Sequence, residues 1–521
     1  MSSFGQQLAT SVLVVGAGEA GLRAAIEVAE AGIAVMAVDR CARADGHSVT
    51  ASGSFDDARA VTRYAGREFH VWEPASTGAY KSPDMHKTLR ERAKQLSIPV
   101  LSHVYVTRLL IDDETVFGAY GFDLSDGSRY LLHADSVILA AGGHTRIWRR
   151  TSSHRHENTG DAFRLAVEAG ARLRNPELVQ FHPLGLISPQ GAEGLLVSEA
   201  ARSEGGILLN NLGERFMTRY DAERLERGSR NRVALASYTE IKEGRGTRDG
   251  GVWLDVSHLP RETVLTRLPL VHQTLLNLQM LDITHDPIEV APTARCSIGG
   301  VRVRPEDHGT DVAGLYAVGD AASGLHGAHQ LEENSPVELL VHSRIAGRAA
   351  AEYSAGLTAH RRSPAAVRSA EGDVNRLVVA DGDQNVRALL RAVRHLMTEF
   401  AGAVRSETGL TAGLTALDEV ESRMQFLGVH IDIGGFQELA FAYDLRSAVL
   451  AARATLECAL ERRQTQGWHH RSDHPDADSD VRVNLVWSPT GGVHRELVPP
   501  VPGEIAELLH DVSADTGRPR A

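Results

Sequence analysis

The sequence predicts an α/β fold whose central parallel sheet is assembled from segments that lie far apart along the chain. A strand–helix–strand pattern runs over residues 11–40, and two later apolar segments, 136–143 and 314–322, end in small residues. Val12–Val15 is a continuous apolar run, which is typical of a parallel strand covered on both faces. We therefore expect all three segments in one sheet, with an insertion between the last two.

The elements of the first unit follow from the spacing of its apolar side chains. The second strand is predicted over Ile33–Val38 and ends on Asp39. Residues 41–80 are rich in glycine, serine and aspartate, which predicts a loop over a ligand. Between the two strands, apolar side chains recur at helical spacing, and a glycine follows where the helix would end: Leu22, Ala25, Ile26, Ala29 and Gly32.

The rest of the chain changes character twice. Residues 183–290 mix short strands with helices rich in arginine and glutamate, whereas the pattern after Gly356 is mostly helical up to residue 465. The last stretch is polar and then strand-like, and the Arg/Ser segment 360–370 is the expected linker. The expected first domain is formed by residues 1–181 together with 291–356, and a second domain, 182–290, is inserted between these parts. A helical domain at 366–465 and a small C-terminal domain at 466–521 are expected to follow.

The composition argues against several classes of protein. The 521 residues carry a formal net charge of −12 without a run of lysine or arginine, which argues against nucleic acid as a partner. Cys41, Cys296 and Cys458 are far apart, so no iron–sulfur cluster, structural zinc or disulfide framework is expected. No apolar run approaches the roughly 18–20 residues of a transmembrane helix. The N-terminus lacks the basic region of a signal peptide, and a cytoplasmic location is expected.

A glycine-rich turn between the first strand and its helix carries the first functional signal. Gly16, Gly18 and Gly21 form a Gly-x-Gly-x-x-Gly pattern, and Asp39 ends the second strand. The first glycine permits the tight bend, the second lets the backbone approach a pyrophosphate, and the third lets helix and strand pack closely. The acid can accept hydrogen bonds from a ribose. The pattern predicts one dinucleotide site, because no second pattern of this kind occurs.

Two later features point to FAD as the dinucleotide. Asp320 lies at the end of the strand in 314–322, where a carboxylate can accept hydrogen bonds from the ribityl hydroxyls of a flavin, and a structural acid in a loop is the alternative interpretation. Ser335 and Glu338 are spaced as a capping box with Pro336 at the first helical position, so a helix is predicted to begin there. A helix N-terminus directed at the pyrimidine edge of the flavin would stabilise the anionic reduced cofactor. A plain helix start explains the same residues equally well.

Further motifs follow one another along the chain: "GAGEAGLRAA", "GHSVTASGS", "ILAAGGHTRIWRRTSSHRHENTGDAFRLAVEAGARL", "ELVQFHPLGLI", "LVSEAARSEGGILLNNLGERFM", "SIGGVRV", "GLYAVGDAA", "HGAHQLEENS" and "RSDHP". In content and order they resemble the flavoprotein subunit family of succinate dehydrogenase and fumarate reductase, which includes L-aspartate oxidase, and the chain looks like a divergent member. The resemblance implies a Rossmann-like FAD-binding domain with an inserted α+β capping domain, followed by a helical domain. It also implies an FAD-dependent oxidoreductase.

The resemblance assigns residues to the cofactor. His47 falls where succinate dehydrogenases bond a histidine covalently to the flavin ring, which raises the flavin's potential. L-aspartate oxidases lack that histidine, and a polar loop residue is the alternative interpretation of His47. The residues that the resemblance implies to contact FAD without a covalent bond are Gly16, Gly18, Gly21, Asp39, Asp161, Asp320 and Ser335.

The resemblance also implies a set of catalytic residues. His182 of "QFHP" and Ser198 with Glu199 of "VSEA" are similar to the family residues that bind one carboxylate of the substrate. Arg230 falls on the arginine that donates and accepts the proton. Glu199 and Arg202 lie three residues apart on one face of a helical turn, and they resemble the acid and arginine that pass protons to that donor. Because arginine is ordinarily a poor acid, this role is implied by the resemblance alone.

The loop "HGAHQLEENSP" (326–336) departs from the family pattern. The family binds the second carboxylate with an arginine in this loop and a histidine before "MGG", and here these positions are Gln330 and Arg295. Glutamine replaces neither the charge nor the bidentate contact of arginine, and Glu332 and Glu333 add negative charge. We therefore expect a substrate that keeps one carboxylate but is not succinate itself, its other end being an amide, an amine or a larger group. The alternative is that both glutamates face solvent and Arg295 restores the second contact.

Three functions are open at this point. The first, which we favour, is transfer of a hydride between flavin N5 and a carbon of a small carboxylate-like substrate. Its electrons would pass to a partner such as an iron–sulfur protein, to a quinone, to oxygen or to a second substrate. The others are an amine or amino-acid oxidase or monooxygenase of the L-aspartate oxidase type, and a flavoprotein subunit without turnover.

The protein is expected to be cytoplasmic or peripheral at a membrane through a partner. The histidines of "HHRSDH" (469–474) are interpreted as surface loop rather than metal site.

Overall fold

The computed structural model describes most of the 521 residues. Expectations that fall elsewhere, among them most of the 41–80 loop with His47, and Glu332 with Glu333, lie outside the described residues. The described ranges are 5–41, 62–64, 67–69, 82–330, 334–431, 435–475, 482–500 and residue 503.

The strands of the described chain alternate with helices in the first part and become sparse after the ninth helix. The helices, α1 to α13, are Glu19–Glu30, Ser82–Gln95, Asp161–Glu168, Ala200–Ser203, Met217–Tyr220, Arg230–Lys242, Arg261–Arg267, Pro269–Gln279, Ser335–Gly356, Pro364–Val378, Val386–Phe400, Glu407–Met424 and Gln437–Glu461. The strands, β1 to β21, are Gln6–Val15, Val35–Val38, Thr62–Tyr64, Arg67–Phe69, Val100–Leu101, Val104–Asp112, Thr115–Asp123, Arg129–Leu139, Leu173–Arg174, Val179–Leu186, Ile207–Leu209, Val252–Asp255, Ile288–Ser297, Gly300–Val301, Leu315–Ala317, Gln384–Asn385, Val404–Arg405, Leu427–Gly428, His470–Arg471, Val483–Ser488 and Gly492–Leu497.

The central sheet brings the three predicted segments together. Its strand order is β5-β2-β1-β8-β7-β6, and β15 pairs with β8 outside this path. The pairs β1–β2, β1–β8 and β8–β15 are parallel, with Val14 opposite Ile138 and Ile138 opposite Tyr316. The prediction of one parallel sheet from distant segments is therefore confirmed. The antiparallel extension β6-β7-β8 was not predicted.

The apolar run of β1 is buried on both faces because the sheet separates two hydrophobic cores. Val12 and Val14 pack into the core formed with α1 and α9, whereas Leu13 and Val15 belong to the larger core on the other face. Full burial of each such side chain contributes about 1.5–3 kcal/mol to stability. The continuous run, rather than an alternating pattern, therefore positions β1 and the turn that follows it.

The inserted region forms a second, antiparallel sheet with the strand order β10-β13-β12-β11. Residues of this sheet and of the helices between its strands share one apolar core, which contains Phe216, Val233 and Leu254. The strands β10 and β13 cross the expected boundaries at 182 and 290, so the two domains are connected through continuous strands. Side chains on β10 and β13 therefore lie where the domains meet.

The region after Gly356 is helical as predicted, but its linker is shorter than expected. The helix α10 already begins at Pro364, where the Ser363 side chain accepts a hydrogen bond from the Ala366 backbone N–H. Serine as cap followed by proline is a favourable helix start, so the second half of the segment 360–370 belongs to the helix. The expectation of a linker over that whole segment is therefore wrong.

The C-terminal strands pair with an earlier part of the chain. The hairpin β20–β21 joins β9 and β14 in one four-stranded sheet, with Trp487 opposite Leu173. The helix α13 packs against α3 in the first domain. The strand-like pattern of the last stretch thus predicts the hairpin, while its attachment to the first domain depends on contacts between residues about three hundred positions apart.

Candidate active site

The turn after β1 has the shape that a dinucleotide pyrophosphate requires. Gly16 has a positive φ of 109°, and a Cβ at this position would lie 2.3 Å from the Ala140 carbonyl oxygen. A Cβ on Gly21 would lie 1.8 Å from the Gly16 carbonyl oxygen, so helix and turn touch only because both residues are glycine. Gly18 precedes the first residue of α1, where free backbone N–H groups favour an anion.

Asp39 closes the same turn from the end of β2. One carboxylate oxygen accepts from the Ala17 backbone N–H and the other from the Cys41 N–H, each at 2.7 Å. Burial raises the pKa of Asp39, and these two backbone donors oppose the rise. Each carboxylate oxygen keeps a further lone pair with which it can accept from a ribose hydroxyl.

The helix α9 begins as predicted, but without the expected capping box. Asn334 precedes it, Ser335 is already helical, and no side chain caps the first turn. Glu338 is instead buried, with its Oε2 atom 3.7 Å from His326 Nε2. Burial, and then the charge of Asp320, raise the pKa of Glu338 to about 8. The capping-box prediction is therefore wrong, because Glu338 turns toward the interior rather than back to its own helix start.

The raised pKa of Glu338 makes the stability of the protein depend on pH. A carboxyl group that is protonated in the folded state but ionised when unfolded stabilises the fold at low pH, and this stability is lost as the pH rises toward 8. Glu338→Gln should therefore reduce the loss of unfolding free energy between pH 5 and pH 8 by about 2–3 kcal/mol. Urea denaturation at both pH values measures this difference. Glu352→Gln, at an exposed position of the same helix, is the control and should leave the pH dependence unchanged.

Asp161 lies in a buried ion-pair cluster next to the end of β2. Its carboxylate accepts hydrogen bonds from Arg40, Tyr105, Thr159 and Ser447. The structure thus places Asp161 beside the residue that follows Asp39, and its oxygens are already bonded within the protein. The predicted FAD contact of Asp161 stays a prediction, and this cluster gives the residue a structural role that the motif did not indicate.

Three predicted site residues meet around the carboxylate of a fourth, Glu199. Glu199 Oε1 lies 2.8 Å from His182 Nε2 and 3.2 Å from Arg230 Nε, and Oε2 accepts from Arg202. His182 comes from β10, Glu199 precedes α4 and Arg230 is the first residue of α6. Ser198, just before Glu199, accepts from the Ala200 backbone N–H at 3.2 Å, which shapes the same turn.

Burial and charge fix the protonation state of this cluster. Although burial alone would raise the pKa of Glu199, His182, Arg202 and Arg230 together hold it well below its usual value. Burial lowers the pKa of His182 to about 4 in spite of the adjacent carboxylate. The Leu184 backbone N–H donates to His182 Nδ1 at 3.2 Å, so neutral His182 carries its proton on Nε2 and donates it to Glu199.

Arg202 is held from its other side by backbone carbonyl groups. Its Nη1 atom donates to the carbonyl oxygens of Glu226 and of Gly228, the latter at 3.1 Å. The side chain is only 6% exposed, so the ion pair with Glu199 is shielded from solvent. This shielding strengthens the interaction and aligns Arg202, Glu199 and Arg230 in one hydrogen-bonded line.

The second half of the predicted substrate site is linked by amide side chains. Arg295 Nη1 donates to Gln180 Oε1 at 2.7 Å, and Gln180 Nε2 donates to Gln330 Oε1 at 3.1 Å. Gln330 is 3% exposed, so it does not face solvent. Gln180 was not predicted from the sequence, although its position two residues before His182 places both side chains on the same face of a strand.

The interpretation of the "HHRSDH" segment as a surface loop is wrong, because its residues form a strand and a largely buried network. His469 is fully buried and lies 2.9 Å from Arg405, and Arg471 forms an ion pair with Asp473 at 2.8 Å. His474 lies within reach of Glu407 and Asp473 at the surface. Across the described ranges, no helix is long and apolar enough to cross a membrane.

Comparisons with known proteins agree with this fold and site. The family described as FAD binding domain matches residues 11–79 and 60–335, and that described as fumarate reductase flavoprotein C-term matches 390–494. One of the fumarate reductase (CoM/CoB) subunits of Methanothermobacter marburgensis is 37% identical over 404 residues, 77% of this chain and 73% of that protein. L-aspartate oxidase of Pseudomonas aeruginosa is 32% identical over 388 residues, 74% of this chain and 68% of that protein. The quinol fumarate reductase FrdA of E. coli superposes with a TM-score of 0.85 at 26% identity, covering 95% of this chain and 98% of that one.

The protein is therefore an FAD-dependent oxidoreductase, and it binds FAD. Its parallel sheet, glycine turn and capping sheet are those of this class. The chain belongs to the family of succinate dehydrogenase and fumarate reductase flavoproteins, which includes L-aspartate oxidase.

Proposed function

We propose that the protein transfers a hydride between flavin N5 and a carbon of a small carboxylate-like substrate other than succinate. The observation that carries this proposal is the convergence of His182, Arg202 and Arg230 on the Glu199 carboxylate. These three partners come from separate segments of the chain, and the family resemblance assigns each of them to the substrate or to proton transfer. The arrangement favours proton transfer to a bound substrate.

The residues at the glycine turn fit FAD. A Cβ on Gly16 or Gly21 would collide with a neighbouring carbonyl oxygen, so only glycine forms this tight turn, and Asp39 keeps lone pairs for the ribose. Gly18, Asp320 and Ser335 are the further residues that we assign to the cofactor, and His47 is the residue assigned to a covalent bond. When bound, FAD supplies the site that accepts or donates the hydride.

The side chains of this protein divide the remaining work between binding and proton transfer. On substrate binding, neutral His182 would turn its one N–H from Glu199 to a substrate carboxylate, and the Ser198 hydroxyl would donate to the same carboxylate and polarise the adjacent carbon. Arg230 would give a proton to that carbon or take it away. Glu199 and Arg202 would restore the proton on Arg230, since Glu199 contacts both guanidinium groups.

The electrons must leave the protein through a second molecule. Relatives are named as subunits of an enzyme, for example of a fumarate reductase (CoM/CoB). A partner protein that accepts or donates electrons, such as an iron–sulfur protein, is therefore part of the proposal. Association with a membrane would then come through that partner.

An amino-acid oxidase is the second candidate. The 32% identity to an L-aspartate oxidase favours it, because that relative also matches most of this chain. Peroxide formed in step with substrate loss in air would identify this activity. The assembled line from Arg202 through Glu199 to Arg230 argues against a flavoprotein without turnover.

Anaerobic reduction of the bound flavin tests the proposed function. Succinate should leave the flavin absorbance unchanged, because the loop residue Gln330 is neutral, whereas other small carboxylates, carboxamides or amino acids should bleach it. Bleaching by succinate would contradict the assignment of a different substrate. If no carboxylate bleaches the oxidised flavin and no unsaturated carboxylate reoxidises the chemically reduced flavin, while FAD remains bound, the proposed activity is wrong.

A further inference from the structure

Gln330 belongs to a chain of hydrogen bonds that begins at the guanidinium of Arg295. This cation determines which group is the donor and which is the acceptor at each following step. A guanidinium group can only donate, so the Gln180 atom that faces Arg295 is its carbonyl oxygen. The amide nitrogen of Gln180 is thereby turned toward Gln330, whose carbonyl oxygen accepts at 3.1 Å. The amide nitrogen of Gln330 then lies 3.3 Å from His326 Nε2 and donates to it. Every amide orientation in this line follows from Arg295.

The protonation state of His326, at the other end of this chain of hydrogen bonds, agrees with this order of donors and acceptors. His326 must accept at Nε2, which requires a neutral imidazole. Burial first, and then the charges of His342 and Arg295, lower the pKa of His326 to about 4. Neutral His326 can therefore accept from Gln330 throughout the physiological range. Gln330 itself is buried with both ends of its amide engaged, so it is poorly placed to bind a substrate.

The near end of the line is a buried cation. Arg295 forms no ion pair with any residue that the structure describes, and its charge acts on His182 together with that of Arg230. Among the described groups, Arg202, Arg230 and Arg295 act together with two carboxylates, Glu199 and Asp320, and His182 is neutral. The cations outnumber the carboxylates at this site, which favours a substrate with more than one acceptor group.

We infer that Gln330 and Gln180 are positioning residues that orient Arg295 as the second anion-binding group of the site. Arg295 reaches the pocket from β13 rather than from the loop 326–336, so the cation approaches the substrate from a different direction. Because guanidinium only donates, the second group of the substrate is a carboxylate or another acceptor, and an amine is excluded. The inference rests on the proposed function for the first carboxylate, which His182 and Ser198 would bind.

Calorimetric titration of the FAD-bound protein tests this inference without turnover. The probes are malonate, succinate, glutarate and adipate, each compared with the monocarboxylate of the same carbon number. At least one diacid should bind 10-fold or more tightly than its monoacid. Arg295→Gln should remove that preference, and Gln330→Met should reduce it 3- to 10-fold. FAD content and melting temperature show that each variant is folded.

A double variant separates positioning from packing. If Gln330 acts through Arg295, adding Gln330→Met to Arg295→Gln should change diacid affinity by less than 2-fold. Gln425→Met, at an exposed position, is the matched control and should change nothing. Equal affinity of the unmodified protein for every diacid and its monoacid, or a full Gln330→Met effect in the double variant, would overturn the inference. Failure of the proposed function is seen separately, as flavin that no carboxylate reduces even though diacids bind.

Discussion

Arg230→Ala and Glu199→Gln are each expected to lower kcat by about 10²–10⁴-fold while FAD stays bound. Arg230→Ala removes the group that we assign to proton transfer at the substrate carbon. Glu199→Gln keeps the shape of the side chain but cannot carry a proton between the two guanidinium groups that contact it. Stopped-flow reduction of the flavin, with the carboxylate that bleaches it fastest, measures the loss.

The control for this experiment lies two residues along the same helix. Arg232 is 61% exposed and donates to the Tyr220 carbonyl oxygen, so Arg232→Ala removes an arginine of α6 without touching the cluster. It should retain nearly full kcat. The KM for the substrate should rise in Glu199→Gln, because glutamine has one acceptor oxygen for the donors on both sides, so either Arg202 or His182 with Arg230 faces an amide N–H. Normal turnover in both Arg230→Ala and Glu199→Gln would show that the assigned proton path is wrong.

Arg40→Met is expected to destabilise the protein by about 3–5 kcal/mol, because it leaves two buried carboxylates without their cation. Arg40 Nη1 lies 3.0 Å from Asp161 and 2.9 Å from Asp444, and both acids also accept from the Tyr105 hydroxyl. The guanidinium stacks 4.7 Å above the Tyr105 ring. Urea denaturation measures the loss, and Arg361→Met, which breaks the exposed ion pair with Asp113, should cost less than about 1 kcal/mol.

The loss in Arg40→Met should depend on pH in a defined direction. Burial alone would raise the pKa of Asp161 and of Asp444, and Arg40 is the main charge that opposes this rise in both acids. Without it, one carboxyl group keeps its proton in the folded state and loses it on unfolding. The stability of the variant should then fall as the pH rises from 5 to 8. A loss that is equal at both pH values would show that the carboxylates find another partner. Because Arg40 follows Asp39, the affinity for FAD should fall as well.

The predictable parts of the fold are those that depend on the spacing of residues close together in the sequence. The glycines of the first turn, the apolar run Val12–Val15 and the helical spacing of α1 each act within a few residues, so the β-α-β unit follows from the sequence. The serine and proline at 363–364 carry the same kind of signal for α10, but the surrounding arginines favour a linker. For Ser335 and Glu338 the local pattern predicts the helix but not the direction of the acid.

Which residues belong to the candidate site was predictable, but the contacts among them were not. The three-residue spacing of Glu199 and Arg202 indicates one helical turn, and the family resemblance supplied His182 and Arg230. The role of Gln330 was not accessible in this way, because its partner Gln180 is 150 residues earlier in the chain. Its replacement of an arginine indicated a changed site, and only the contact explains what glutamine does there.

The sequence by itself determined the dinucleotide turn and the strands and helix around it, since short-range spacing and residue type specify them, and its resemblance to the family supplied the candidate acid–base residues. The tertiary structure alone decided which charges share a buried space. Arg40 meets Asp444 across 404 residues, and Arg295 meets Gln180 across 115. In such a space an amide or a carboxyl group takes its orientation and its pKa from whichever donor lies beside it, and the packing of the surrounding sheets and helices determines which donor that is.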